Sequence, residues 1–167
     1  MTRLLARFRV PLGFLFGAIV LWLAQPTWDS LGRGAVFAFA GEALRLWASG
    51  HLEKSKEVTR SGPYAYMRHP LYLGTAFIAV GIAIAGDSRV ASLLVALYLG
   101  TTLPAAVLTE EQHLREKFGP EYDAYVARQA RPMKRPFSLS RALGNREHHT
   151  IMGIVAGFAL LAVKVIW

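Results

Sequence analysis

Three long stretches of this chain carry no charged side chain: Val10 to Trp28, Pro70 to Gly86 and Val90 to Thr109, with 19, 17 and 20 residues. About 20 apolar residues in a helix cross the hydrocarbon of a bilayer, where only an internally hydrogen-bonded backbone is tolerated. Two further runs are interrupted, Gly34 to Ser49 by Glu42 and Arg45, and Thr150 to Trp167 by Lys164. Together they predict an all-α integral membrane protein of about five transmembrane helices. With 53% hydrophobic residues among 167, the chain is more apolar than an average soluble domain, and its length suits one domain, 1–167.

The first run follows Arg3, Arg7 and Arg9, which also fits the start of a signal peptide. No Ala-x-Ala-like cleavage site follows, and Pro26-Thr27-Trp28 suits an interfacial turn, so the run is expected to be a retained span. Asp87-Ser88-Arg89 is a short polar turn that folds the third and fourth runs into an antiparallel hairpin, and Pro104 should kink the fourth. Glu42 and Arg45 lie three apart on one helix face and can pair. Ionisable groups at that depth are functional candidates, although Arg45 can also snorkel to the headgroups with Glu42 balancing it, as Lys164 can near the far end. Gly34 and Gly41 leave room for close helix packing.

The net charge is +8. Of 19 Lys and Arg, 15 fall in the amino-terminal segment, the 51–69 loop and the 110–149 segment. In a five-span chain these three share one side, so the positive-inside rule places them in the cytoplasm and the carboxy terminus opposite, in a bacterial inner membrane. The basic balance is then a matter of topology, and nucleic acid is not expected as a partner. With no cysteine, disulfides and thiolate metal sites are excluded. Glu147-His148-His149 and His113 suggest a metal only weakly, because adjacent histidines do not share a helix face. No metal site and no Gly-rich phosphate loop are expected.

The densest chemistry lies in Ser61-Gly62-Pro63-Tyr64-Ala65-Tyr66-Met67-Arg68-His69-Pro70-Leu71-Tyr72-Leu73-Gly74. Two prolines shape it as loop, two glycines allow close backbone approach, and three tyrosines offer ring faces. Downstream stand Glu110-Glu111, Phe118-Gly119-Pro120-Glu121-Tyr122, Tyr125, Arg128 and Arg131-Pro132. Leu114, Phe118, Tyr122, Tyr125 and Val126 make an amphipathic stripe that Gly119-Pro120 divides. The hairpin brings both stretches to one membrane face, and there they form a cytosolic pocket from the 61–74 loop and the 110–135 segment.

These two stretches, in this order, resemble the signatures of the isoprenylcysteine carboxyl methyltransferase and phospholipid methyltransferase superfamily. The resemblance covers about residues 34–135; the spans at about 10–28 and 150–167 lie outside it. It implies S-adenosylmethionine as methyl donor, S-adenosylhomocysteine as product, and a lipophilic acceptor entering from the bilayer: an isoprenylcysteine carboxylate, a phospholipid amine or another small lipophile. By the resemblance, His69, Tyr72, Gly74, Glu110 and Glu111 would hold the cofactor, and Gly62, Pro63, Tyr64, Tyr122 and Arg128 are further candidates beside them. Arg68 and Glu111 would serve the acceptor, Arg68 for an anionic group and Glu111 for a neutral one. Arg128 and Arg131 suit either the cofactor or anionic headgroups. Trp22, Trp28, Trp47 and Phe14, Phe16, Phe37, Phe39 suit a lipophilic tunnel or lipid equally. Two other readings compete: an NADPH-dependent sterol-type reductase, opposed by Pro70-Leu71-Tyr72 where Asn-Tyr is wanted, and a non-enzymatic membrane scaffold. The sequence leaves the acceptor and the oligomeric state open.

Overall fold

The computed structural model describes residue 13 and residues 15–167. Arg3, Arg7, Arg9, Phe14 and the start of the first apolar run lie outside the described residues. The described residues form helices and no strands: α1 (15–23), α2 (Trp28–Ser49), α3 (Pro70–Gly86), α4 (Arg89–Phe118), α5 (Pro120–Val126), α6 (Leu139–Gly144) and α7 (Glu147–Ile166), with a 3-10 turn at Gly62–Ala65.

Local chemistry sets the boundaries. Thr27 caps α2, its hydroxyl accepting from the Ser30 amide at 3.0 Å while the Ser30 hydroxyl accepts from the Thr27 amide at 2.9 Å. The first apolar run therefore divides earlier than expected: α1 ends at residue 23 and Trp28 begins α2. Pro70 opens α3, where its missing N–H costs nothing, and Asp87 closes it in the left-handed region. Ser88 caps α4, which runs unbroken through Pro104 for 30 residues, about 45 Å at 1.5 Å per residue. Glu110 and Glu111 thus ride on a helical extension past the apolar run.

The long helices alternate in direction. At one end the Gln25 amide donates to the Gly86 carbonyl (2.7 Å) and the Ser30 hydroxyl to the Ala85 carbonyl (3.0 Å). Lys164 belongs to the same end, where its ammonium donates to the carbonyls of Leu21, Trp22 and Ala24 at 3.0, 2.7 and 2.6 Å. Instead of snorkelling to headgroups it caps the free carbonyls that end α1, fixing α7 to α1. At the other end Arg45 ties α2 to the first turns of α3 and α7.

The centre is the α2–α3 contact. A Cβ added at Gly41 would lie 2.6 Å from the Gly74 carbonyl, and one at Gly81 would lie 2.6 Å from the Ala38 amide nitrogen. Close backbone approach, and not side-chain bulk, holds this pair. By contrast, α4 and α7 display apolar side chains outward, including Leu93, Leu97 and Leu108 on α4 and Met152, Val155 and Leu160 on α7. Among the described residues these two helices are both long and apolar enough to cross a membrane; α3 is apolar but shorter.

The basic tail is fastened rather than free. Arg135 pairs with Glu57 (2.6 Å) and Arg141 with Glu53 (2.9 Å), while the Asn145 amide donates to the carbonyls of Ser49 and Leu52, both at 2.9 Å. These bonds close the open end of α2 and deliver α7, which begins three residues before the apolar run so that Glu147 lies inside it.

Candidate functional site

Arg68 and His69 immediately precede the proline that starts α3, so both side chains stand at the mouth of the α3–α4 hairpin. Glu111 comes to them from the extension of α4. Its Oε1 accepts from Arg68 Nη1 at 3.0 Å and lies 2.9 Å from His69 Nε2, which donates in the tautomer protonated there; Arg115 stands 3.9 Å from Oε2. The His69 hydrogen bond, with the charges of Arg68, His69 and Arg115, holds the Glu111 carboxyl below its ordinary 4.5 against the opposing effect of burial. Glu111 therefore organises the mouth. Glu110 is exposed and makes no ion pair among the described residues.

The second stretch closes on the first. The Tyr125 hydroxyl donates to the Tyr64 carbonyl at 2.8 Å, and Arg60 pairs with Glu121 at 3.3 Å. Tyr122 is buried beneath the Arg115 guanidinium, 5.8 Å from the ring centre, and its hydroxyl has no hydrogen-bond partner among the described residues. Burial raises the hydroxyl pKa of all three tyrosines. Nearby Glu110 adds to it at Tyr64, Glu111 adds to it at Tyr122, and Tyr125 rises to about 12. Near neutral pH all three remain hydrogen-bond donors.

Beside this junction is a cleft of about 330 Å³ lined by Arg60, Ala65, Tyr66, Tyr125, Arg128, Ala130, Arg131 and Pro132. Arg128 adopts a left-handed backbone (φ 58°) just past α5, and neither it nor Arg131 has an ion-pair partner among the described residues. The cleft is cationic, with tyrosine walls.

The structure thus brings Arg68, His69, Glu111 and Tyr122 together, sets Glu110 beside them and Arg128 in the adjoining cleft, and places the Tyr72 ring 5.9 Å from that of His69. The two signature glycines allow close approaches within the chain itself. A Cβ at Gly74 would meet Arg45 Cγ at 2.5 Å and the Gly41 carbonyl at 2.7 Å, and one at Gly62 (φ 58°) would meet the His51 ring. Pro63 is fully buried and Tyr64 nearly so, while Ala65 and Tyr66 directly after them line the cleft. No three His, Asp or Glu gather as metal ligands among the described residues.

Sequence reasoning missed Arg60, which no motif marked, and mispaired Arg45. Its Nε donates to Glu147 Oε1 at 2.7 Å, Nη1 to the Thr75 hydroxyl at 2.6 Å and the Leu71 carbonyl at 3.4 Å, and Nη2 to the Thr150 hydroxyl at 3.1 Å. Glu42 takes no part, and both its carboxyl oxygens are buried without a partner. A partner 102 positions away leaves no local signal in the sequence.

A family model described as phospholipid methyltransferase matches residues 8–121. The chain belongs to that family. Among curated proteins, the nickel-cobalt-cadmium resistance protein NccN of Alcaligenes xylosoxydans xylosoxydans is 35% identical over 86 residues, 50% of this chain and 40% of that one. The cobalt-zinc-cadmium resistance protein CzcN of Cupriavidus metallidurans is 31% identical, over 50% of this chain and 39% of its own. The protein-S-isoprenylcysteine O-methyltransferase of Schizosaccharomyces pombe is 30% identical over 93 residues, 56% of this chain and 39% of its own. The matches thus span about two fifths of each relative's length. No solved structure matches the chain. Within this member of the phospholipid methyltransferase family, the match includes the Arg68–His69–Glu111 mouth and ends before most of the arginine cleft and all of α7.

Proposed function

We propose that this protein is an S-adenosylmethionine-dependent methyltransferase of the membrane, acting on a lipophilic acceptor that arrives from the bilayer. The observation that carries the proposal is the junction itself: Arg68 and His69 from one stretch share the carboxylate of Glu111 from the other, inside a chain of the phospholipid methyltransferase family. In this reading α1, α2, α3, α4 and α7 are the five spans of a single domain, and the junction opens to the cytosol. The alternating helix directions and the basic residues gathered at one end support it.

The residues present fit the cofactor. Its carboxylate matches the unpaired guanidinium groups of Arg128 and Arg131, its ribose hydroxyls or ammonium match Glu110, and the orphaned Tyr122 hydroxyl is a donor awaiting an acceptor. Tyr66 and Tyr125 supply ring faces for adenine, and 330 Å³ lies at the lower end of the roughly 300–1,000 Å³ usual for small-molecule pockets. When bound, the cofactor supplies an electrophilic methyl group on a sulfonium. The chain's own task is to orient: Glu111 fixes His69 and Arg68, and the Tyr125–Tyr64 bond fastens the loop to α5.

Glu111→Gln tests the role of the junction. It removes the charge that gathers Arg68 and His69, and S-adenosylhomocysteine affinity in detergent should fall about tenfold or more, as for a lost charge-assisted hydrogen bond. Unchanged affinity in a variant that still folds would remove Glu111 from the site.

A further inference from the structure

One acid in the helical bundle has no use in the account above. Glu42 lies a turn before Arg45 on α2, with both carboxyl oxygens shielded from solvent and bonded to nothing among the described residues. Its natural partner is taken, since Glu147, Thr75, Thr150 and the Leu71 carbonyl engage all three nitrogens of Arg45. Arg45 and Glu147 neutralise one another, and Glu147 lies within electrostatic reach of Glu42. The cluster therefore carries one carboxyl in excess of its cations, in a low-dielectric interior where an unsatisfied polar group is costly.

The cluster also adjoins the site. Arg45 bonds into the first turns of α3 directly after His69, its stem packs on Gly74, and Arg45 and Glu147 both act electrostatically on Tyr64, as does Glu110. Glu42 is thus one helical turn deeper into the bundle than the groups that border the signature loop. A lipophilic acceptor entering from the bilayer brings its own polar head to such a depth. A carboxyl group left over in an apolar layer favours a head that donates hydrogen bonds or carries positive charge, and repels a carboxylate.

We propose that Glu42, set apart by the Arg45–Glu147 pair, binds the head of the acceptor and selects for an amine over a carboxylate. This rests on the methyl-transfer reading only in calling the ligand an acceptor; the binding preference stands on the cluster alone.

The test measures binding of two amphiphiles of equal chain length, dodecylamine and dodecanoate, to the full chain in a neutral maltoside detergent, by quenching of tryptophan fluorescence. Wild type should bind the amine more tightly than the carboxylate. Glu42→Gln should weaken amine binding about tenfold, the worth of one charge-assisted hydrogen bond, and leave dodecanoate no weaker. Glu42→Asp, which keeps the carboxyl group, should retain most of the preference. S-adenosylhomocysteine binding to each variant reports that the fold and the cofactor site are intact. Equal binding of the two amphiphiles to wild type, or an amine affinity unchanged in Glu42→Gln, would overturn the assignment. If wild type binds no S-adenosylhomocysteine but keeps an amine preference that Glu42→Gln abolishes, the methyl-transfer reading fails and the amine site stands.

Discussion

Among the arginine–glutamate pairs that tie this molecule together, two differ in almost every respect but chemistry. Arg45 and Glu147 are 18% and 3% exposed and 2.7 Å apart, with every nitrogen of the guanidinium satisfied. Arg68 and Glu111 are 47% and 13% exposed and 3.0 Å apart, and the carboxylate is shared with His69 and approached by Arg115. The first pair is closed, joining three helices and leaving no valence for a ligand. The second is open, with an unpaired carboxylate, an orphaned phenol and a cationic cleft around it. A saturated buried network rigidifies; a shared, half-exposed one can exchange partners when a ligand arrives.

The largest effect should follow from breaking the closed pair. Arg45→Ala strands a buried carboxylate at Glu147 and should cost about 3–5 kcal/mol, read as a large fall in melting temperature in detergent. A melting temperature near that of wild type would show that the pair is dispensable and that α7 is held by Lys164 and the basic tail instead. Arg68→Ala should behave oppositely. Half-exposed in solvent, that pair is worth roughly 0–1 kcal/mol, so stability should barely move while methyl-transfer turnover falls. A fall in melting temperature as large as that of Arg45→Ala would erase the distinction between the two knots.

Acidification should separate them further and by the smallest margin. Glu111 has its carboxyl depressed below 4.5 in the folded protein, so its contribution is fully present above that value and is lost as pH falls through the folded value. S-adenosylhomocysteine affinity should accordingly be insensitive to Glu111 protonation near neutrality and decline below 4.5. A decline centred near neutrality, abolished by a substitution elsewhere, would assign the titration to another group.

The contrast also explains what the sequence discloses. The bounds of α3 were legible to the residue because Pro70 and Asp87 are chemical stops at either end of an uncharged run. The meeting of His69 with Glu111 was legible because a hairpin of two apolar runs leaves only one place for their polar flanks. The partner of Arg45 was not legible: the i,i+3 rule offered Glu42, and only the tail, folded back through Arg135, Arg141 and Asn145, brings Glu147 within reach. The glycines show the same dependence on tertiary packing. Gly62 and Gly74 sit in the signature stretch, and within the chain the close approach each allows is to His51 and to Arg45 with Gly41. Local patterns mark what a residue type permits, and tertiary packing decides which neighbour uses it.

The central claim is that the open junction holds S-adenosylmethionine. Isothermal titration of the purified chain in detergent with S-adenosylhomocysteine, and in parallel with NADPH, tests it most directly. The account predicts saturable binding of S-adenosylhomocysteine alone, weakened by Glu111→Gln. Binding of NADPH alone, or of neither ligand to folded protein, would contradict it.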